Sequence, residues 1–216
     1  MFRIITVERE YGCGGGGIAA QLAERLGWKL WDHLITEEIA KIAKVDCKAV
    51  EECDERVDSR FYRLAKVFWR GSYERSIPMA DSATFDADCM MSTMEQISAK
   101  IAQEGNAVVV GRGSPFFMRE RADTFRVFLY APRPEKIRRL QASGMDEREA
   151  GELVDTVDSE RKAFIKHYFN ADWPTRALYH MMVNTESGDE NVIATIFDAM
   201  ERLQGRALPG IRSGVR

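Results

Sequence analysis

Residues 2–27 read FRIITVEREYGCGGGGIAAQLAERLG, and this stretch decides the fold. Its apolar, β-branched start at residues 2–7 predicts a buried strand. Apolar residues then recur at helical spacing over residues 18–26, and the glycine that follows ends the predicted helix. Residues 29–31 predict a second short strand. A strand, a glycine-rich loop, a helix and a strand in this order indicate a parallel sheet covered by helices.

The remainder of the chain continues this alternation after a long interruption. Residues 34–100 carry helical patterns and no strong strand, which predicts an inserted helical region. The strand patterns return at residues 106–110, 125–130 and 180–183, and helical patterns fill 135–142, 146–168 and 191–203. The last residues, 205–216, have little to bury and are predicted to form a loose tail.

The glycine-rich loop requires a physical reason, because five of the six residues from 12 to 17 are glycine. Glycine costs about 1 kcal/mol relative to alanine in ordered structure, since it loses more backbone freedom. It is favoured where a backbone turns sharply or touches a ligand. A helix start offers unpaired N–H groups and a partial positive charge, and both attract phosphate. The alternative interpretation is a flexible turn without a ligand.

Two phosphate-loop templates compete for this stretch. Gly12, Gly14 and Gly17 satisfy the dinucleotide pattern GxGxxG, and Asp32 at the end of the second predicted strand then contacts the ribose hydroxyls. The P-loop pattern GxxxxGK[ST] fits the loop length better, although its two functional side chains are missing. Gly15 stands where the lysine belongs, and Gly17 stands where the serine or threonine belongs.

Composition excludes several classes of protein. The 31 Lys and Arg residues are balanced by 34 Asp and Glu residues, and a net charge of -3 argues against a general nucleic-acid binder. The 4 cysteines form no CxxC pair and only 3 histidines are present, which argues against a zinc site. No apolar run approaches the roughly 18 residues that span a bilayer. We therefore expect a cytoplasmic protein with no membrane or nucleic-acid partner.

With this layout in view, the chain resembles the cytidylate-kinase-like branch of the P-loop nucleoside monophosphate kinases. The segments that carry the resemblance are ITVEREYGCGGGGIA at 5–19, VVVGRG at 108–113, VFLYAPRPEKIRRL at 127–140, VDSERKAFIKHYF at 157–169 and VNT at 183–185. Their order and spacing are more specific than any one of them. The resemblance implies a P-loop NTPase-like three-layer α/β/α fold with a five-stranded parallel sheet. It places a single domain at 1–204, with an acceptor-binding insert at 34–100 and a lid at 133–165.

The resemblance also implies roles for individual residues. The loop formed by Gly12, Cys13, Gly14, Gly15, Gly16 and Gly17 would wrap the phosphates of ATP, which brings Mg²⁺ with it. Arg112 and Arg161 would hold the phosphate of the acceptor nucleotide, and Asp32 and Asp158 would contact that nucleotide. Arg138 and Arg139 sit where lid arginines approach the transferring phosphoryl group. The expected reaction is direct transfer of the γ-phosphoryl group to a nucleoside monophosphate.

The departures from the family pattern keep a second function open. A loop without lysine loses one positive charge beside the β- and γ-phosphates, and a loop without the hydroxyl loses a ligand of Mg²⁺. A nucleotide-binding protein that transfers no phosphoryl group is therefore the alternative, and a nicotinamide-dependent enzyme is a third. Arg9 is the nearest cation that can replace the lysine, although a surface charge is the simpler interpretation. We expect Gly15→Lys to be tolerated.

Several side chains also have simple structural interpretations. Asp158 and Arg161 lie three residues apart on one predicted helix, so an intrahelical ion pair explains them. Arg112 follows the carboxyl end of a predicted strand, where open α/β sheets bind ligands. Cys13 is expected to be a small residue tolerated in a tight turn rather than a reactive thiol.

Overall fold

The computed structural model describes residues 1–32, 34, 35, 38 and 87–204. Most of the predicted insert at 34–100 and the whole predicted tail at 205–216 lie outside these residues. The boundaries that the sequence predicts for the single domain, the insert and the lid remain predictions. Among the residues described, no helix is both long and apolar enough to cross a membrane.

Five parallel strands form one sheet. They are β1 (Ile4–Arg9), β2 (Lys29–Trp31), β3 (Ala107–Val110), β4 (Thr124–Tyr130) and β5 (Met181–Asn184). The order across the sheet is β2-β3-β1-β4-β5, so β1 is central. Val7 pairs with Val110 on one side and with Val127 on the other. The carboxyl ends of β1, β3 and β4 therefore meet at one edge, directly where the glycine loop begins.

Helices cover both faces of this sheet. They are α1 (Gly15–Leu26), α2 (Ala87–Glu104), α3 (Ser114–Phe117), α4 (Arg133–Ala142), α5 (Glu147–Phe169) and α6 (Asp189–Leu203). Side chains of β1 alternate between the faces. Ile4 packs with residues of α2 and α5, whereas Ile5 and Val7 pack with residues of α1 and α6. The predicted three-layer α/β/α architecture is confirmed.

The strand order decides between the two phosphate-loop templates. The dinucleotide-binding fold places its second strand beside its first, in the order 3-2-1-4-5-6. Here β3 lies between β1 and β2. The nicotinamide-dependent alternative therefore loses its structural basis, because the literal GxGxxG match stands in a sheet of a different order.

The central strand β1 extends two residues further toward the glycine loop than predicted, and the added residues are charged. The sequence pattern predicts a strand over residues 2–7, whereas β1 runs from Ile4 to Arg9 and all six of its residues are buried. Glu8 and Arg9 read as loop residues because they are charged. They continue the strand because β1 pairs along its whole length with β4, in which Leu129 is the partner of Arg9.

The predicted lid consists of α4 and α5, which pack against each other. Asp146 caps α5, since its side chain accepts hydrogen bonds from the backbone N–H groups of Arg148 and Glu149. A small apolar core joins the two helices, and Tyr11 from the glycine loop belongs to it. The core residues are Tyr11, Leu140, Ala150, Val154 and Val157. The lid helices therefore rest on the loop.

Replacement of Phe128 tests the packing of the central sheet. This residue is fully buried, and its ring lies 5.3 Å from that of Trp173 and 5.2 Å from that of Tyr179, measured between centroids. We expect Phe128→Ala to lower the free energy of unfolding by about 3–5 kcal/mol in urea denaturation, because it leaves a cavity. Leu203→Ala is the control, since Leu203 is 59% exposed. A loss no larger than in the control would contradict this packing.

Candidate active site

The glycine loop has a backbone that only glycine adopts without strain. Gly12 and Gly14 have φ values of 76° and 80°, in the left-handed region. A Cβ at Gly12 would lie 3.1 Å from Leu140 and 3.2 Å from Lys136, both on α4. A Cβ at Gly14 would overlap the guanidinium of Arg139, also on α4. The loop is therefore tightly turned and closely covered by the first lid helix.

Helix α1 begins at Gly15 without a side-chain cap. Its N-cap residue, Gly14, makes no side-chain hydrogen bond, and the first turn holds no acidic residue. The first N–H groups of the helix and its positive dipole end therefore face the loop, which is an arrangement suited to phosphate. Gly16 is half-buried, and Gly17 is exposed with open space where its Cβ would lie.

Cys13 anchors the loop to the neighbouring strands. Its thiol is fully buried and lies 3.6 Å from the carbonyl oxygen of Leu129, to which it donates. The hydroxyl of Thr185 donates to the Cys13 carbonyl over 2.7 Å. Burial raises the pKa of the Cys13 thiol to about 11. The interpretation of Cys13 as a tight-turn residue is therefore favoured over that of a reactive thiol.

Arg9 is buried rather than exposed, which corrects its interpretation as a surface charge. Only 6% of the residue is accessible, and Nη1 lies 3.9 Å from the Glu8 carboxylate. A Cβ at Gly15 would lie 2.8 Å from Cβ and 2.9 Å from Cγ of Arg9. The expectation that Gly15→Lys is tolerated is therefore wrong while Arg9 keeps its place.

Asp158 joins the loop, both lid helices and a second, partly buried arginine. Its Oδ1 accepts hydrogen bonds from the backbone N–H of Tyr11 over 2.8 Å and from Nη1 of Arg161 over 3.2 Å. Its Oδ2 accepts from Nζ of Lys136 over 3.1 Å. Lys136 also donates to the carboxylate of Glu10 over 3.0 Å. The predicted intrahelical ion pair between Asp158 and Arg161 is present, but it is one part of a larger network.

Arg161 reaches from α5 to the end of the central strand. Its Nη1 donates to the carbonyl oxygen of Arg9 over 2.8 Å. Burial lowers the pKa of the Arg161 guanidinium, and the neighbouring charge of Arg9 lowers it further. Arg161 therefore lies beside the start of the glycine loop, and its role at the acceptor phosphate remains a prediction.

Arg112 and Asp32 come together at the carboxyl ends of β3 and β2. Both residues are buried, and Arg112 has a φ of 59°, between two glycines that also have positive φ. Burial lowers the pKa of the Arg112 guanidinium to about 10, an effect that the Asp32 charge opposes and the Arg9 charge reinforces. Asp32, Arg112 and Arg9 are thus electrostatic neighbours.

The two lid arginines point in different directions. The side chain of Arg138 is 68% exposed and pairs with Glu135 over 2.6 Å. Arg139 lies beside Gly14 and donates to Glu135, to Asp189 and to the carbonyl oxygen of Thr185, over 2.8, 2.9 and 2.9 Å. The structure thus brings Arg139, and not Arg138, to the loop. The catalytic role of Arg138 remains a prediction.

Several residues that the structure places in this region were not identified from the sequence. Glu8 and Lys136 are both buried, and Glu10 connects Lys136 to the backbone N–H of Ala131. Burial raises the pKa of the Glu8 carboxyl, although Arg9 and Arg161 oppose this effect. The signal that could have identified Glu8 and Arg9 is their position directly after an uninterrupted run of strand residues.

The groups around the glycine loop are suited to binding phosphate groups such as those of ATP rather than a metal ion held by side chains. The uncapped helix start, the buried Arg9 and Arg112 and the partly buried Arg161 suit a polyanion. Among the residues that the structure describes, no three His, Cys, Asp or Glu side chains are grouped to hold a metal.

The five-stranded parallel sheet with helices on both faces is the fold of the P-loop kinases. Within that class, the chain belongs to the cytidylate kinase-like family, whose sequence model matches residues 4–187. No curated protein sequence matches the chain. The family and the fold expected from the resemblance are thus confirmed, and the chain is a kinase-like P-loop protein.

Solved structures show the same fold at low sequence identity. An uncharacterised protein from Eubacterium ventriosum is 21% identical, with a TM-score of 0.61, over 92% of this chain and 99% of that one. A gluconokinase from Sinorhizobium meliloti is 15% identical, with a TM-score of 0.51, over 92% of this chain and 91% of that one. At these identities the similarity establishes the fold alone.

Gly14→Ala tests whether the loop binds a nucleotide. We expect a loss of ADP affinity of at least tenfold in calorimetric titration, because left-handed strain costs about 1–3 kcal/mol and the new Cβ displaces Arg139. The control is Gly27→Ala at the other end of α1, where φ is 63° and no atom lies within 4 Å. It introduces similar backbone strain away from the loop. Folded Gly14→Ala that binds ADP as the control does would mean that the loop is only a turn.

Glu8→Gln tests the electrostatics of the central strand. The pKa of Glu8 is raised above 4.5 in the folded protein, so its protonated form is favoured there. Its contribution to stability is complete below pH 4.5 and is lost as the pH rises through the folded pKa. We therefore expect Glu8→Gln to gain stability relative to wild type as the pH rises above this value, measured by urea denaturation.

Glu190→Gln is the control with the opposite sign. Arg25 holds the pKa of the Glu190 carboxyl below 4.5, so that carboxylate stabilises the folded state above this pH. Glu190→Gln should therefore lose relative stability as the pH rises toward 4.5. A Glu8→Gln variant with the same pH dependence as Glu190→Gln would contradict the assigned burial of Glu8.

Proposed function

We propose that the protein transfers the γ-phosphoryl group of ATP to a nucleoside monophosphate, with CMP or dCMP as the nominal acceptor. One observation carries the proposal: the buried Arg9 and Arg112 and the partly buried Arg161 lie together where the glycine loop leaves the central strand. Buried like charges are unfavourable unless an anion compensates them. Two phosphorylated substrates that meet at this edge would supply that anion. We place this activity in the cytoplasm, where both nucleotides are available.

The proposed mechanism is direct in-line transfer. An oxygen of the acceptor phosphate bonds to the γ-phosphorus while the bond from that phosphorus to the bridging oxygen breaks, and the electron pair leaves with ADP. The acceptor phosphate is largely ionised at neutral pH, so no general base is required. The high pKa and burial of Cys13 support a route without a covalent intermediate on that thiol.

The residues of the site take the following proposed roles. Backbone N–H groups of the loop from Gly12 to Gly17 would hold the donor phosphates, and Arg112 and Arg161 would neutralise the acceptor phosphate. Asp32 would orient the acceptor and the charge of Arg112. Asp158 would hold the loop backbone at Tyr11, beside the acceptor. Arg138 and Arg139 would approach the transferring group as the lid closes and excludes water.

The direct test is a coupled assay of ADP formation with MgATP and CMP, dCMP, UMP or AMP. We expect turnover with a cytidylate acceptor in preference to AMP. No turnover with any acceptor at high enzyme concentration would refute the proposal.

The second candidate is a nucleotide-binding protein without transferase activity. The specific observation in its favour is that no residue from Gly14 to Gly17 supplies the lysine or the hydroxyl of the P-loop pattern. Calorimetry separates the two candidates, because binding of ATP without turnover supports the second. Absence of ATP and ADP binding would remove both.

Arg112→Lys tests the acceptor side of the site. A lysine keeps the charge but loses the paired N–H groups that match a phosphate. We expect the KM for the acceptor to rise by about tenfold or more, while the KM for ATP changes little. Arg119→Ala is the control, since this arginine is exposed and pairs with its neighbour Glu120. An unchanged acceptor KM in folded Arg112→Lys would contradict the assigned role.

A further inference from the structure

The glycine at position 15 is explained by a neighbouring side chain rather than by its own backbone. Gly14 has a left-handed φ, whereas Gly15 is the first residue of α1 and is buried. A Cβ on Gly15 would lie 2.8 and 2.9 Å from Cβ and Cγ of Arg9, closer than side-chain carbons approach one another. The aliphatic part of Arg9 thus fills the space that a side chain at position 15 needs.

A second glycine makes room for the other end of the same arginine. Gly111 follows β3 with a φ of 63°, and a Cβ there would overlap Nη1 of Arg9. The side chain of Arg9 therefore runs from the start of α1 to the carboxyl end of β3. Its guanidinium lies at the edge where parallel α/β sheets bind their ligands.

The guanidinium of Arg9 belongs to the buried cationic group of this edge. Its charge lowers the pKa of both Arg112 and Arg161, so it is close to both of them. Arg161 also fixes the backbone of Arg9 through the hydrogen bond to its carbonyl oxygen. Glu8 offsets part of the charge, with its carboxylate 3.9 Å from Nη1.

We propose that Arg9 takes the place of the P-loop lysine at the donor phosphates. The proposal rests on the proposed phosphoryl transfer and adds the residue that stabilises its leaving group. As the bond between the γ-phosphorus and the bridging oxygen breaks, negative charge accumulates on that oxygen, and the guanidinium of Arg9 neutralises it. An arginine remains ionised in a buried position and offers paired donors to phosphate oxygens.

The geometry makes positions 9 and 15 mutually exclusive. A long cationic side chain can approach the donor phosphates from the end of β1 or from the start of α1. It cannot do so from both, since the Cβ of a residue at 15 meets the stem of Arg9. Replacement of Arg9 by glycine removes both of the carbons in the way and should therefore make room for a lysine at 15. A purely structural role of Arg9 predicts no such exchange.

The test is a double-mutant cycle with wild type, Arg9→Gly, Gly15→Lys and Arg9→Gly/Gly15→Lys, with thermal melting to confirm folding. Glycine is used at position 9 because alanine would keep the Cβ that lies 2.8 Å from a Cβ at position 15. We expect Arg9→Gly to lower kcat by about 100-fold or more and to weaken ADP binding by about tenfold, with little change in the acceptor KM. The double variant should recover at least tenfold of the lost kcat and of the lost affinity. Arg9→Lys should retain part of both. Arg148→Ala is the matched control for loss of a positive charge, since Arg148 is exposed on α5.

Affinity measurements separate this proposal from the proposed function. If wild type binds ADP but phosphorylates no acceptor, the proposed kinase activity is refuted. The ADP affinities of the four proteins in the double-mutant cycle then test the role of Arg9 by themselves. AMP, which lacks the β- and γ-phosphates, should bind Arg9→Gly and wild type equally. A folded double variant no better than Arg9→Gly would overturn the proposal. So would unchanged ADP affinity in Arg9→Gly, or a wild type that binds neither ATP nor ADP.

Discussion

Buried positive charge at the carboxyl ends of β1 and β3 constrains the rest of the site. Burial lowers the pKa of Arg112 and Arg161, and the charge of Arg9 lowers both further. Transfer of several cations out of water costs several kcal/mol per ion unless partners compensate it. Glu8, Asp32 and Asp158 provide part of that compensation. The glycines beside Arg9 are required because its side chain takes the room that their Cβ atoms would fill.

The loop and the lid are mechanically connected through Asp158. This carboxylate on α5 accepts from the backbone of Tyr11 in the loop and from Lys136 on α4. Tyr11 itself is part of the apolar core between the two lid helices. Any displacement of α4 and α5 must therefore carry the start of the loop with it or break these contacts.

Much of the fold could be predicted from local patterns. Short apolar runs identified all five described strands within about two residues, and the glycine loop predicted the edge of the sheet at which a ligand would bind. The rule that parallel strands end at one edge also places Asp32 near Arg112. The order of the strands could not be predicted, because residue spacing along the chain does not determine which strands pair. The insert at 34–100 lies mostly outside the described residues, so its prediction stands untested.

The site was harder to predict than the fold, as two adjacent residues illustrate. Arg138 and Arg139 look alike in sequence, but on a helix their side chains diverge by about 100°. Only the docking of α4 on the loop decides that Arg139 faces Gly14 while Arg138 faces solvent. Glu8 and Arg9 were also predicted incorrectly. Because they are charged they were expected in a loop, whereas pairing with the neighbouring strand places both in the buried strand β1.

The sequence by itself determined the class of fold, the phosphate loop and the missing lysine. These features follow from hydrophobic periodicity and from glycine chemistry, which act over a few residues. The tertiary structure alone decided that Arg9 is buried against Gly15 and Gly111, and that Asp158 holds Tyr11 across 147 positions of the chain. Contacts between residues so far apart depend on how whole strands and helices pack. No local pattern encodes that packing.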